Sequence, residues 1–356
     1  MPAILGEDKR QKAKDKRLNS PSNLLLTLLV VLIAGARPAG AAAGGKIEAL
    51  DPRFAALVPA DARVEILTDG IQWAEGPLWD KQQRVLLFSD VPRNAVFAWR
   101  QRGGVSAIVR PSGYTGTDPF IGNSPGANGL TFDAQGRLVL CQHGDRRVAR
   151  READGEIVGI VDRYDGKRLN SPNDLVYGPD GALYFTDPVF GLPRGYDDPG
   201  KELDFQGVYR LAADGTLTPI IKDLRAPNGL AFSPDGKTLY VSNSDPGNPV
   251  WMAYPVKADG TVGPGRVFAD ARAFAAEGEG SPDGLEVDAK GNLFATGPAG
   301  VHVFAPDGTR LGRIVTGVPT GNVAWGDDGH SLYIAAEHRI LRVHTTTSGT
   351  VGGAAR

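Results

Sequence analysis

One cysteine, Cys141, is all the chain contains, so no internal disulfide can form, and stability has to come from the core and any bound ion. An excess of basic charge is missing too. The formal net charge is −2 and no Lys/Arg stripe marks the folded part, which argues against nucleic acid as the main partner and leaves a small molecule as the default. No apolar run is long enough for a comfortable membrane span, since the run from Leu24 to Ala34 has 11 residues. Few stretches carry a helical period. Without a strand-to-helix turn there is no seat for the nucleophile elbow of a Ser-His-Asp hydrolase.

What the chain does have is turn chemistry. Its 47 Gly and 26 Pro make up about a fifth of the 356 residues, as expected of many short strands joined by tight turns. The first 45 residues differ from the rest. A basic stretch from Lys9 to Arg17 precedes the apolar run, and small residues, Ala39-Gly40-Ala41-Ala42-Ala43, follow it. That order predicts a signal peptide and linker over 1–45, a folded part over 46–350, and an exported, periplasmic or secreted protein. Membrane contact is expected only through an uncleaved N-terminal anchor, the alternative reading of the same segment.

A single unit recurs six times: an apolar strand, a turn marked by Gly or Asp-Gly, and a second apolar strand. The copies open at Glu75, Asn128, Asn173, Asn228, Asp283 and Asn322, at intervals of 53, 45, 55, 55 and 39 residues. Four-stranded propeller blades run about 40–50 residues. Stretches such as Gly207 to Leu211 and Val301 to Phe304 supply third strands. The predicted fold is all-β, a six-bladed β-propeller. After Asn322 only three strands are clear, so Val64-Glu65-Ile66-Leu67 is expected to complete the last blade and close the ring.

The opening residues of the six units would meet at one mouth of the central channel. All six offer an oxygen, two are carboxylates and none is basic. This is ligand chemistry for a hard divalent cation, with Ca²⁺ favoured over Mg²⁺ by its tolerance of irregular oxygen cages. Zn²⁺ is disfavoured because the ring has no His or Cys. Taken singly, each Asn or Asp before Gly is an ordinary turn residue; the coincidence across six units carries the argument. The ends of the second strands, Asp90, His143, Asp187 and Asn243, are expected on the same face, where they can orient ligands or touch substrate. The loop from Pro111 to Pro125 is expected to cover part of the mouth.

Several segments resemble the gluconolactonase branch of the family that also holds regucalcin (senescence marker protein) and the luciferin-regenerating enzyme. They are Glu75-Gly76-Pro77-Leu78-Trp79, Arg168 to Leu175, Tyr184-Phe185-Thr186-Asp187-Pro188, Pro227 to Phe232, and Pro282-Asp283-Gly284-Leu285. The resemblance implies a catalytic metal held by Glu75, Asn173, Asn228 and Asp283, with Asp283 also as general base or, alternatively, as nucleophile, and it extends to the cage of diisopropyl fluorophosphatase. Ser171 stands where regucalcin-like members carry Arg, so their substrate contacts are not carried over. The expected activity is Ca²⁺-dependent hydrolysis of a small lactone such as an aldonolactone, with another divalent ion as the alternative. Asn128, Asn170, Asp174 and His143 are the candidate substrate contacts. A phosphotriesterase-like hydrolase on the same cage and a non-catalytic ligand-binding propeller are the rival readings.

Overall fold

The computed structural model describes residues 44–352; the expected signal segment, up to residue 43, lies outside the described residues. Blade one pairs Ala74–Asp80, Val85–Asp90, Ala95–Arg100 and Gly104–Val109 in antiparallel order. The other five blades open with Ala127–Phe132, Leu175–Tyr177, Pro227–Phe232, Leu285–Val287 and Asn322–Gly326, each at one edge of its sheet. Each opening strand packs against those of both neighbouring blades, and the sixth packs against the first. The ring is therefore closed, and the fold is the expected six-bladed β-propeller.

Local chemistry explains the repeat. Asp180, Asp214, Asp235 and Asp307 each accept, through Oδ1, the backbone N–H two residues on, at 2.9–3.1 Å. The following Gly181 and Gly215 sit at φ +75° and +87°, where a side chain would be strained. The core lies between neighbouring sheets. Leu78, Leu87, Leu130 and Leu140 join blades one and two, and Phe294, Trp325, Tyr333, Trp79 and Phe88 run from blade five through six to one. Trp79 stacks on Tyr333 with centroids 5.3 Å apart. Each such fully buried side chain contributes about 1.5–3 kcal/mol. With the apolar faces used up between blades, the axis is left to polar groups.

Glu65–Asp69 completes the sixth blade against Arg339–His344, as expected from its apolar pattern, and Arg342 clasps Glu65 at 2.7 Å. A second N-terminal strand, Lys46–Ala49, adds a fifth strand to blade five against Arg310–Val315 and had no counterpart in the sequence reading. Among the described residues no helix is long and apolar enough to cross a membrane.

Candidate active site

At the ring position the pairing of first and second strands slips. Register breaks between Glu75 and Leu78, Ala127 and Leu130, and Pro227 and Leu230. An extra residue in one strand bends it and re-aims its side chain. The glycine that follows is forced by the next blade: a Cβ on Gly76 would lie 2.2 Å from the Asn128 carbonyl oxygen, and one on Gly229 would lie 2.5 Å from that of Asp283. This geometry turns Glu75, Asn128, Asn173, Asn228 and Asp283 into one cavity of about 760 Å³, with His143, Trp73, Phe190 and Ser244 on its wall.

Five of these side chains form a connected network. His143 Nε2 lies 3.0 Å from Asn173 Oδ1, Asn173 Nδ2 donates to Asn228 Oδ1 at 2.6 Å, and the Asn228 amide donates to both Ser244 Oγ (2.9 Å) and the Asp283 carboxylate. Trp73 Nε1 donates to Glu75 Oε1 at 3.2 Å. The strand-two ends hold the backbone leading into the ring. Asp90 accepts from Gln72 and Trp73 N–H, Asp187 from Asn170 and Ser171 N–H, and Asn243 Oδ1 from Ala226 N–H, each two or three residues ahead of a ring residue.

The electrostatics are those of buried acids without counter-charge. Burial pushes Glu75 up to about 7, against the Trp73 hydrogen bond and with a push from the Asp174 charge. Burial also raises Asp283 well above the usual carboxylate range, reinforced by Glu75 and Asp174. Burial drags His143 down to about 4, so its ring is neutral at pH 7. None of the described residues lining the cavity is Lys or Arg. Asn128 Oδ1 is buried without a hydrogen-bond partner, an arrangement that costs about 1–3 kcal/mol unless something fills it. Among the described residues no three of His, Cys, Asp or Glu come together, so any cation here needs the amide oxygens as well as the two carboxylates.

Three expected substrate contacts are placed differently. Asp174 lines a separate cavity with Glu286 and Asn322, because neighbouring residues of an extended segment point to opposite sides, and Asn173 takes the mouth. Asn170 is fully buried, and its amide donates to the Asp187 and Phe205 carbonyls, which makes it a brace for the segment ahead of Asn173. His143 does line the mouth, but both its ring nitrogens are engaged, with Ser124 Oγ 2.8 Å from Nδ1. Asn322, expected in the ring, is one residue out of step. Asn173 N–H bonds the Thr186 carbonyl and Gly321 N–H bonds that of Ala335, so Gly321 holds the ring position and Asn322 matches Asp174. A Cβ on Gly321 would meet Glu75 Oε1 at 2.4 Å, so glycine there makes room for the carboxylate.

Asn123 and Ser124 bring the 111–125 loop to the mouth. Gly122-Asn123-Ser124-Pro125-Gly126 spells G-x-S-x-G, a string passed over in the sequence. It leads into the strand Ala127–Phe132 and not into a helix, so it is no nucleophile elbow. Trp73 and Ser244 were also missed. Their signal is proximity: Trp73 stands two residues before Glu75, and Ser244 follows the strand-two end Asn243.

Residues 73–338 match the family described as SMP-30/Gluconolactonase/LRE-like region. The chain belongs to this family. It is similar to the gluconolactonase of Zymomonas mobilis, 40% identical over 311 residues, 86% of this chain and 87% of that one. A solved Xanthomonas campestris gluconolactonase of this family is 37% identical with a TM-score of 0.74, covering 87% of this chain and 98% of its own. A calcium-binding regucalcin of Agrobacterium tumefaciens shares the fold at 18% identity and a TM-score of 0.63, covering 88% and 98%.

Proposed function

We propose that this member of the SMP-30/gluconolactonase family hydrolyses a small neutral lactone of the aldonolactone class, with a divalent cation, Ca²⁺, held by Glu75, Asn173, Asn228 and Asp283. The observation that carries the reading is the convergence of a buried carboxylate, Glu75, a half-buried one, Asp283, and amide oxygens on one cavity without a Lys or Arg among its described lining. The donor set fits the ion: all oxygen, two negative charges, and an orphaned Asn128 oxygen beside them. A bound divalent cation supplies positive charge that polarises the lactone carbonyl and keeps both carboxylates ionised.

The chain's own residues do the rest. Asp283 takes the proton of the attacking water as the new C–O bond forms, and returns it to the ring oxygen as the lactone C–O bond breaks, leaving the open hydroxy acid. Asn228 holds the Asp283 carboxylate in place through its amide. Trp73 and Phe190 wall the cavity, and the lack of basic lining residues disfavours an anionic substrate.

Glucono-lactone hydrolysis by the purified protein, measured before and after chelation, tests the reading. Activity lost on chelation and restored by Ca²⁺ is expected. Faster turnover of a fluorophosphate than of any lactone favours the phosphotriesterase rival, and no ester turnover at all favours a binding module. We further propose that the protein acts outside the cytoplasm, on the strength of the basic, apolar and small-residue order of its first 45 residues. N-terminal sequencing of protein recovered from the periplasm or medium checks this.

A further inference from the structure

The hydrogen bonds at the mouth have a sense that one atom fixes. The Pro282 carbonyl can only accept, and it takes the Ser244 hydroxyl at 2.5 Å. Ser244 Oγ is left to accept from Asn228 Nδ2 at 2.9 Å, which turns Asn228 Oδ1 toward Asn173 Nδ2, 2.6 Å away. Asn173 Oδ1 then faces His143 Nε2 at 3.0 Å. An amide oxygen donates nothing, so the proton is on Nε2, and Nδ1 is free to accept from Ser124 Oγ at 2.8 Å. Turning either amide over sets two donors or two acceptors face to face.

We propose that His143 is a positioning residue, held as the Nε2–H tautomer by this chain, whose single donated hydrogen bond locks the Asn173 amide at the chain's open end so that its oxygen stays presented to the cation ring. His143 is 1% exposed and acts through Asn173, not on the substrate. Each amide oxygen accepts one hydrogen bond and keeps a lone pair for an ion. Without the imidazole, the Asn173 amide is held only through its Nδ2–H to Asn228, and its oxygen loses the donor that fixes its place in the ring. Ser124 ties this setting to the 111–125 loop, so loop and ring are ordered together. Supporting contacts of this kind alter metal affinity about 10–100-fold.

The proposal has a test independent of turnover. Long-range ¹H–¹⁵N spectra of the intact protein at neutral pH, with the His143 signal identified by its loss in His143→Gln, are expected to show the Nε2–H pattern in chelated and Ca²⁺-loaded samples alike. An Nδ1–H pattern overturns the proposal. By calorimetry, His143→Ala is expected to weaken Ca²⁺ binding about 10–100-fold, His143→Gln to recover most of it, and His143→Ala to cost nothing more when added to Asn173→Ala. Wild-type affinity in His143→Ala, or a full second loss in the double variant, also overturns it. So does Ser124→Ala if it abolishes lactone turnover at unchanged Ca²⁺ affinity, since Ser124 would then be a nucleophile. The affinity measurements rest on the cation reading above. A wild-type protein that binds no divalent ion sinks that reading, while the tautomer still decides the chain.

Discussion

The mouth around Asp283 and the cavity around Asp174 are two acidic pockets associated with the same ring of opening strands, and their difference shows what a perturbed acid is worth as a marker. Both hold carboxylates whose pKa is pushed up by desolvation: Glu75 to about 7 at the mouth, Asp174 to about 6 and the half-buried Glu286 to about 8 in the other. In the Asp174 cavity the acids sit among Leu78, Trp79, Leu175, Leu230, Leu285 and Trp325. At the mouth they sit among amides whose orientation is fixed by a one-way chain of donors. A raised carboxyl pKa is common to both; convergent, oriented oxygen is found at one. A buried carboxylate in an apolar wall is a stability liability, whereas the same group in an oxygen ring can be offset by a cation.

The largest test of that contrast is catalytic. Asp283→Asn is expected to lower kcat/KM for glucono-lactone by about 10²–10⁴, and Asp174→Asn by no more than about threefold, measured on folded protein of each. Equal losses would erase the distinction between the two cavities. Next in size is ligand-linked stability. Ca²⁺ at a hundred times its Kd is expected to stabilise the wild type by about 2.7 kcal/mol, an effect lost in Glu75→Gln and kept in Glu286→Gln, as read from denaturant melts.

A pH experiment sharpens the comparison further. Burial favours the protonated forms of Glu75 and Asp283 in the metal-free ring, and each must lose its proton to an ion, so Ca²⁺ affinity should fall about tenfold per pH unit for each proton released, about a hundredfold per unit once pH drops below about 7. Calorimetry in buffers of different ionisation enthalpy counts the protons released. The smallest effect belongs to Glu286. Its pKa in the folded chain is raised from an ordinary 4.5 to about 8, first by burial and then by Asp174, so its ionisation opposes folding as pH climbs through that window. Glu286→Gln should therefore raise Tm by roughly 2–4 °C at pH 8 and leave it unchanged below pH 4.5.

The propeller was legible because its signal is repeated: six apolar hairpins with Gly-marked turns report one architecture even where a single copy is ambiguous. Ring closure through Glu65–Asp69 was legible for the same reason, as the one strand missing from a count. Glu75, Asn128, Asn173, Asn228 and Asp283 were legible as a set because equivalent positions share a height. Asn322 was misplaced by one because blade six has Gly-Asn where the others have a ring residue followed by Gly or Asp, and only the inter-strand hydrogen bonds reveal the offset. Asp174 and Asn170 lie away from the mouth for local reasons: direction alternates along an extended segment, so Asp174 faces opposite to Asn173, and the Asn170 amide is taken by the Asp187 and Phe205 carbonyls. Phe190 lies outside the repeated unit and owes its place to tertiary packing, whereas Trp73 and Ser244 had only their nearness to Glu75 and Asn243 to mark them.

The clasp between Glu65 and Arg342 joins residues 277 apart in sequence. A ribosome makes the first of these strands long before its partner, so the blade that seals the circle cannot form until nearly all of the polypeptide has been synthesised. Until then the edge of Glu65–Asp69 has no mate and the wheel stays open. The assembly of this molecule is thus timed by its last strand, whatever order the inner blades take.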